Sequence, residues 1–379
     1  AASLQAFRSG EAGMKEIRGL RTRQKGKLPV AEVPFSNREL AEQSGLSPET
    51  PRTALLSAIA AREAIKDSGI ENVKAIRTGF ISANTVGGMD KTEDFFESFM
   101  KDPASGKLRD VVRHECGAIT EIVADHLGIT HFSSTISTAC SSSANAVFTG
   151  ARMIRHGLLD MAVAGGADAL TRFTLNGFNT LMILDKEYCK PFDENRKGLN
   201  LGEGAGYLVL LSEKMMRRAN KDPYCILSGY SNANDAYHQT ASSPEGTGSF
   251  LAMKNALAGS GLRPGDIDYI NLHGTGTQNN DIAEGTAIKL LFDPVYPKMS
   301  STKSFTGHTL GASGGMEAVF SALAIRHGII YPNLRFETAM KELPFTPETK
   351  FLTRQRVRHV LSNSFGFGGN CSSLIFSAA

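Results

Sequence analysis

The feature that most constrains this chain is an alternation that runs through it from end to end. Apolar runs suited to strands empty into glycines, and stretches with apolar residues at helical spacing follow them. "TGFISAN" (78–84), "MAVAGGADA" (161–169) and "GEGAGYLVLLSEK" (202–214) read as strands. "TALLSAIAAREAIKDSG" (53–69), "CGAITEIVADHLG" (116–128) and "SANAVFTGARMIRHGLL" (143–159) read as helices, the first two closed by Gly69 and Gly128. The second half repeats the theme, with strands in "YCILSGYSNAND" (224–235), "DIDYINLHGTGT" (266–277) and "VRHVLSNSFGFGGN" (357–370). Its helices are "SFLAMKNALAGSG" (249–261) and "GGMEAVFSALAIRHGI" (314–329). The matching order predicts an α/β protein of two similar halves, residues 1–215 and 216–379.

Charge and cysteine usage exclude several classes of function. A formal charge of +3, from 41 basic and 38 acidic residues, is too even for a nucleic-acid binder. No apolar run approaches the roughly 18 residues of a membrane span. "AASLQAFRSG" has neither the charged start nor the long apolar core of a secretion signal. Five scattered cysteines without a C-x-x-C pair fit a reducing, cytoplasmic compartment better than a disulfide framework or a zinc finger.

Chemistry concentrates where strands meet glycines. In "STISTACSSSANAV" (134–147), Cys140 stands where a helix would begin, and a thiolate there gains from the positive end of the dipole. That is the setting of an activated nucleophile, and the small residues behind it would let substrate approach closely. A buried cysteine serving as a small hydrophobe is the plain alternative. His273 in "LHGTGT" and His308 in "STKSFTGHTLGASGG" sit among glycines, as an imidazole needs if it is to be fixed yet reachable. Either one alone could be a hydrogen-bonded structural histidine. Together with Cys140 they point to a catalytic set, whereas His131, His156, His327 and His359 lie beside charges or helix ends. The "NSFGFGGN" loop (363–370) could turn backbone N–H groups toward a ligand as an oxyanion hole. "GLNLGEGAG" (198–206) lacks the Lys-Ser/Thr of a phosphate loop and precedes a strand, so neither a P-loop nor a dinucleotide fingerprint is expected.

Taken together, "TACSSS", "HGTGT" followed by Asp281, "STKSFTGH", "PFDENRKGLNLGEGAG" and "NSFGFGG" resemble the motifs of β-ketoacyl-[acyl-carrier-protein] synthases of the elongating type, over nearly the whole chain. The resemblance implies the thiolase fold, a five-layer α/β/α/β/α body, and a homodimer. It implies decarboxylative condensation of an acyl group held on Cys140 with malonyl-acyl carrier protein, in fatty acid elongation. No cofactor is implied, because substrates arrive on the phosphopantetheine arm of an acidic carrier protein. His273 and His308 would bind the malonyl thioester carbonyl. Lys303, partnered by Glu317, would support the second histidine. The backbone N–H groups of Cys140 and Phe367 would form the oxyanion hole. Thr275 and Thr277 would touch the pantetheine arm, Phe178, Phe365 and Asp281 would belong to the substrate pocket, and Val86 would gate the acyl tail.

Some features depart from that pattern. The strand and "TGLG"-like turn that open the family have no counterpart before "SLQAFRSGEAGM", so the first strand is expected to be missing. Asn370-Cys371 replaces the usual Thr-Asn after the glycines. Of the basic cluster before the first long helix only Arg52 remains, which leaves Lys101, Lys107, Arg109 and Arg113 as candidates for carrier docking. A ketosynthase of a polyketide or aryl-polyene pathway would carry the same motifs. A non-catalytic subunit that sets chain length typically loses the nucleophile that Cys140 retains. A thiolase or chain-initiating synthase would show a Cys-His-Asn or two-cysteine set instead.

Overall fold

The computed structural model describes residues 2–219 and 221–379. Two short strands, β1 (Lys15–Glu16) and β2 (Pro29–Val30), pair on their own. A first sheet holds β3 (Thr78–Ala83), β4 (Phe132–Ile136), β5 (Met161–Asp168) and β6 (Gly204–Leu211), in the spatial order β4-β3-β5-β6. A second sheet holds β7 (Ile226–Asn234), β8 (Tyr269–Asn271), β9 (Lys298–Ser300), β10 (His359–Phe365) and β11 (Asn370–Ser377), in the order β7-β11-β10-β8-β9. In the first sheet β3 runs parallel to β4 and β5, and β6 runs antiparallel to β5. In the second, β8 runs parallel to β9 and β10, and β11 runs antiparallel to β10. The same four-strand unit thus occurs twice. The second sheet adds β7 along β11, and no strand lies along the corresponding edge of β6 among the described residues.

Side chains alternate across each strand and sort into layers. Phe80, Met161 and Val163 face an outer cluster with Ala54, Ala58, Ile119 and Val123 of the helices Arg52–Ser68 and Cys116–Leu127. Their neighbours Ile81, Ala162 and Ala164 face inward. There they meet Ala144 and Val147 of the helix Ser142–Arg155, Ala318 of the helix Ser313–His327, and Leu374 and Phe376 of β11. On the far side, Ile270, Leu361 and Ile375 pack against Met253 and Ile288 of the helices Thr247–Ser260 and Gln278–Phe292. Two sheets, two outer helical layers and one shared inner pair of helices make five layers. The expected helix ends at Gly69 and Gly128 hold, each glycine with φ near +70°.

The run 266–277 forms a strand only over Tyr269–Asn271, because the loop after it is taken up by a helix, Gln278–Phe292, that the sequence reading did not single out. β11 was likewise not anticipated.

The inner layer depends on missing side chains. A Cβ on Gly206 of β6 would lie 2.5 Å from the Met316 nitrogen, and one on Gly315 would lie 2.5 Å from the Gly206 oxygen. Backbone cannot yield as a flexible side chain does, so Gly206→Ala should lower unfolding free energy by about 1–3 kcal/mol, the usual cost of overpacking. Urea titration checks this, and a midpoint equal to the parent's refutes the contact.

Candidate active site

Cys140 follows β4 across a tight turn. Ala139 takes φ +52°, and the helix begins at Ser142. The sequence reading gave the small residues behind the thiol the task of admitting substrate, but the structure uses them for packing. A Cβ on Gly314 would come within 2.9 Å of Ala144, and the Gly315 N–H donates to Ser143 Oγ at 2.7 Å. The helix that starts at Ser142, just after the nucleophile, and the helix that follows His308 therefore touch nearly backbone to backbone.

His273 leaves the end of β8, and His308 stands in the loop after β9. Both are at most 2% exposed. Their rings lie 5.4 Å apart and nearly perpendicular, at 87°. The Cys140 sulfur and one nitrogen from each ring all lie within 4.8 Å of one another. Lys303 Nζ sits 3.2 Å from His273 Nδ1, and the Leu310 N–H donates to His308 Nδ1 at 3.0 Å. Burial first, and then the Lys303 charge, pull both imidazoles well below the ordinary histidine range, so both rings are neutral. With a donor facing each Nδ1, the ring proton of each sits on Nε2. A thiophilic ion would need lone pairs at those Nε2 atoms, so the set fits hydrogen-bond donation better than metal ligation.

Lys303 is 1% exposed and ion-paired with Glu317, which is 2% exposed. Burial pushes the Glu317 carboxyl up to about 7, and Lys303 offsets part of that. The sequence reading assigned this pair to the second histidine, whereas Lys303 touches the first, His273. Asp281 needs a similar correction. It is fully buried, and it accepts from the N–H groups of Phe192, Thr275 and Gly276, so it shapes the His273 loop rather than facing substrate. One turn later, Glu284 accepts from the N–H groups of His273 and Gly274 and from Asn363. Glu284 went unnoticed in the sequence, although an acidic pair three residues apart at the start of a helix beside "HGTGT" was a usable signal.

A cavity of about 340 Å³ opens above these groups, lined by Cys140, both histidines, Thr275, Thr277, Phe178, Phe365 and Phe367, with Met182 and Lys197 at its mouth. Phe367 stacks on Phe178 at 5.8 Å, and the Thr275 and Thr277 hydroxyls lie 2.9 Å apart. A Cβ on Gly366 would come within 3.1 Å of the Cys140 nitrogen, so the glycine loop abuts the nucleophile turn. Asn370 secures the same junction, because its Oδ1 lies 2.7 Å from Ser141 Oγ and accepts from Asn145 and Asn232. Val86 is not part of the cavity wall. It packs one layer behind, with Leu175, Leu199, Leu310 and Phe178. Arg52 is not free for docking, since its guanidinium binds Glu203 and the Val33 and Phe35 carbonyls.

The thiol itself is less activated than its helix start suggests. Burial pushes Cys140 up to about 11, and the Lys303 charge and the N–H groups of Phe367 and Cys140 offset only part of this. At neutral pH the sulfur is therefore a thiol, and its thiolate fraction should rise about tenfold per pH unit below that value. Alkylation of Cys140 by iodoacetamide, followed by peptide mapping from pH 7 to 9, should accelerate accordingly. A rate flat across that range would mean a thiolate already formed.

Comparison with known proteins bears on the chemistry. The family described as "Beta-ketoacyl synthase, N-terminal domain" matches residues 33–215, and "Beta-ketoacyl synthase, C-terminal domain" matches residues 224–337. The 3-oxoacyl-[acyl-carrier-protein] synthase 2 of Staphylococcus aureus is 35% identical over 329 residues, covering 84% of this chain and 82% of that protein. The synthase of the same name from Coxiella burnetii is 35% identical over 334 residues, covering 84% and 80%. Among solved structures, the ishigamide ketosynthase/chain length factor superposes with a TM-score of 0.92 at 29% identity, covering 99% of this chain and 94% of that one. The ketosynthase ApeO in complex with its chain length factor ApeC, from Xenorhabdus doucetiae, superposes with a TM-score of 0.84 at 32% identity, covering 99% and 93%.

Proposed function

The chain belongs to the β-ketoacyl synthase family, and from that premise we propose that it is an elongating 3-oxoacyl-[acyl-carrier-protein] synthase with Cys140 as the acyl carrier. The observation that carries the reading is the convergence of one nitrogen from each neutral imidazole on the Cys140 sulfur. Cys140 attacks the acyl thioester and displaces the pantetheine thiol, keeping the acyl group as a new thioester. A malonyl thioester then enters with its carbonyl oxygen between His273 and His308. Its bond to the carboxylate breaks, CO2 leaves, and the electron pair moves onto the thioester oxygen as an enolate. Two neutral donors fixed in a water-poor cavity suit that charge without becoming bases themselves. The enolate carbon attacks the Cys140 thioester, whose oxygen is met by the N–H groups of Cys140 and Phe367. Collapse returns the cysteine sulfur and frees the 3-oxoacyl product on its carrier.

In this reading Lys303 and Glu317 keep His273 neutral and oriented, Thr275 and Thr277 hold the pantetheine arm, and Phe178 and Phe365 flank the acyl group. Residues 1–215 supply the nucleophile, and 216–379 supply both histidines. The acidic carrier protein would meet the exposed Lys101, Lys107, Arg109 and Arg113. A homodimer is supported by the open edge of β4. A second reading, a specialised ketosynthase paired with a chain length factor, is favoured by the close superposition on the ishigamide ketosynthase/chain length factor.

Separate assays of the half-reactions test the assignment. Cys140→Ala should lose both acylation and condensation. His273→Ala and His308→Ala should still accept an acyl group, yet release CO2 from malonyl carrier roughly 100- to 1000-fold more slowly. Parent-rate CO2 release by either histidine variant would remove that residue from the mechanism.

Val86→Phe tests the tail pocket. A larger side chain behind Phe178 would press that ring into the cavity. Each CH2 then excluded forfeits about 0.8 kcal/mol of burial. Acylation by long chains should fall while short chains are spared, and a parallel drop across the series would reduce Val86 to a core residue.

A further inference from the structure

Asp168 ends β5, is fully buried, and joins two turns that belong to different parts of the site. On one side, its carboxylate accepts from the Thr85 N–H at 2.9 Å, the Thr85 hydroxyl at 2.7 Å and the Val86 N–H at 3.0 Å. On the other, it accepts from the Gly311 N–H at 2.7 Å. The next N–H back along the chain, that of Leu310, is the one that donates to His308 Nδ1. Leu310 holds φ +53°, a left-handed conformation that a residue with a Cβ adopts only under constraint. Consecutive N–H groups at 310 and 311 thus pin this turn to His308 and to Asp168. The Leu310 side chain packs in the same apolar cluster as Val86. The two turns also touch directly, since a Cβ on Gly311 would come within 2.9 Å of Thr85 Cγ2.

We infer that Asp168 is a positioning residue that fixes the tautomer and orientation of His308 and makes them answer to the Thr85–Val86 turn behind the acyl-tail pocket. The inference rests on the catalytic reading of His308 given above. A tail pressing on Phe178, which packs against the cluster that holds Val86, moves the turn whose N–H groups share one carboxylate with Gly311. The Leu310 N–H, and with it the lone pair held at His308 Nδ1, follows. Through Asp168, decarboxylation is tuned to whether the acyl tail is seated.

The test uses the full chain with 15N-labelled histidine, in the parent and in Asp168→Asn and Thr85→Val. Asp168→Asn weakens every bond to the carboxylate, and Thr85→Val removes a single donor on the far turn. In both variants the His308 ring nitrogens should shift toward a mixture of tautomers, while those of His273, held by Lys303, stay in place. CO2 release should fall about 10-fold further than acylation, the scale on which a partner of a functional group acts. Unchanged His308 resonances in both variants overturn the inference, as does a joint shift of both histidines that tracks a lower melting temperature. If Asp168→Asn does not fold, the Thr85→Val spectrum decides alone. If the parent releases no CO2 from malonyl carrier, the condensation reading fails, and the ring-nitrogen spectra still decide whether Asp168 positions His308.

Discussion

Lys303 carries its charge into a place that water does not reach, so its neighbours must supply what water would. Glu317 answers the charge, and His273 accepts at Nδ1. The consequences spread outward from that point. Burial makes a positive charge on either ring costly, and a cation this close adds to the cost, so both imidazoles stay neutral. The same charge favours negative sulfur and so offsets part of what burial does to Cys140. One ammonium thereby holds three titratable groups in compatible states. Without it, a raised carboxyl at Glu317 and a less restrained His273 would remain.

The fold delivers these groups from opposite sides. Cys140 comes from the end of edge strand β4 in the first sheet, His308 from the loop after the matching edge strand β9 of the second, and His273 from β8 beside it. Strand ends on one side of each sheet face the same space, as parallel order requires. Three buried carboxylates then fasten the loops from below: Glu284 and Asp281 under His273, and Asp168 under the turn that follows His308. None of the three faces the cavity. Their work is to use up backbone N–H groups that a glycine-rich loop would otherwise leave unpaired in the interior.

Cys140, His273 and His308 were legible in the sequence because each is a local signal, a reactive side chain among small residues at a strand end. The layered α/β class was legible for a similar reason, since it follows from periodicity. Contacts between distant segments were not. Nothing near Lys303 in the chain shows that it reaches His273 rather than His308, because the choice depends on how β8 and the loop after β9 lie side by side. Asp168 ends an ordinary buried strand, and Leu310 looks like any apolar loop residue. The small residues after Cys140 were visible, but their purpose was misread. Their partners, Gly314 and Gly315, lie far along the chain and become neighbours only when the two inner helices meet.

That meeting of helices works as a mechanical stop. One helix begins just after the nucleophile and the other follows the second histidine, and at their closest approach the second helix offers only glycines, Gly314 and Gly315. The distance between sulfur and imidazole is therefore set by glycine backbone against the small residues Ser143 and Ala144, as a machined shoulder sets the travel of a part. Any substitution at Ser143, Ala144, Gly314 or Gly315 that adds bulk widens the gap, and on the glycine side none can narrow it. Over evolutionary time these positions should hold small residues even where the surrounding pocket is remodelled for other substrates.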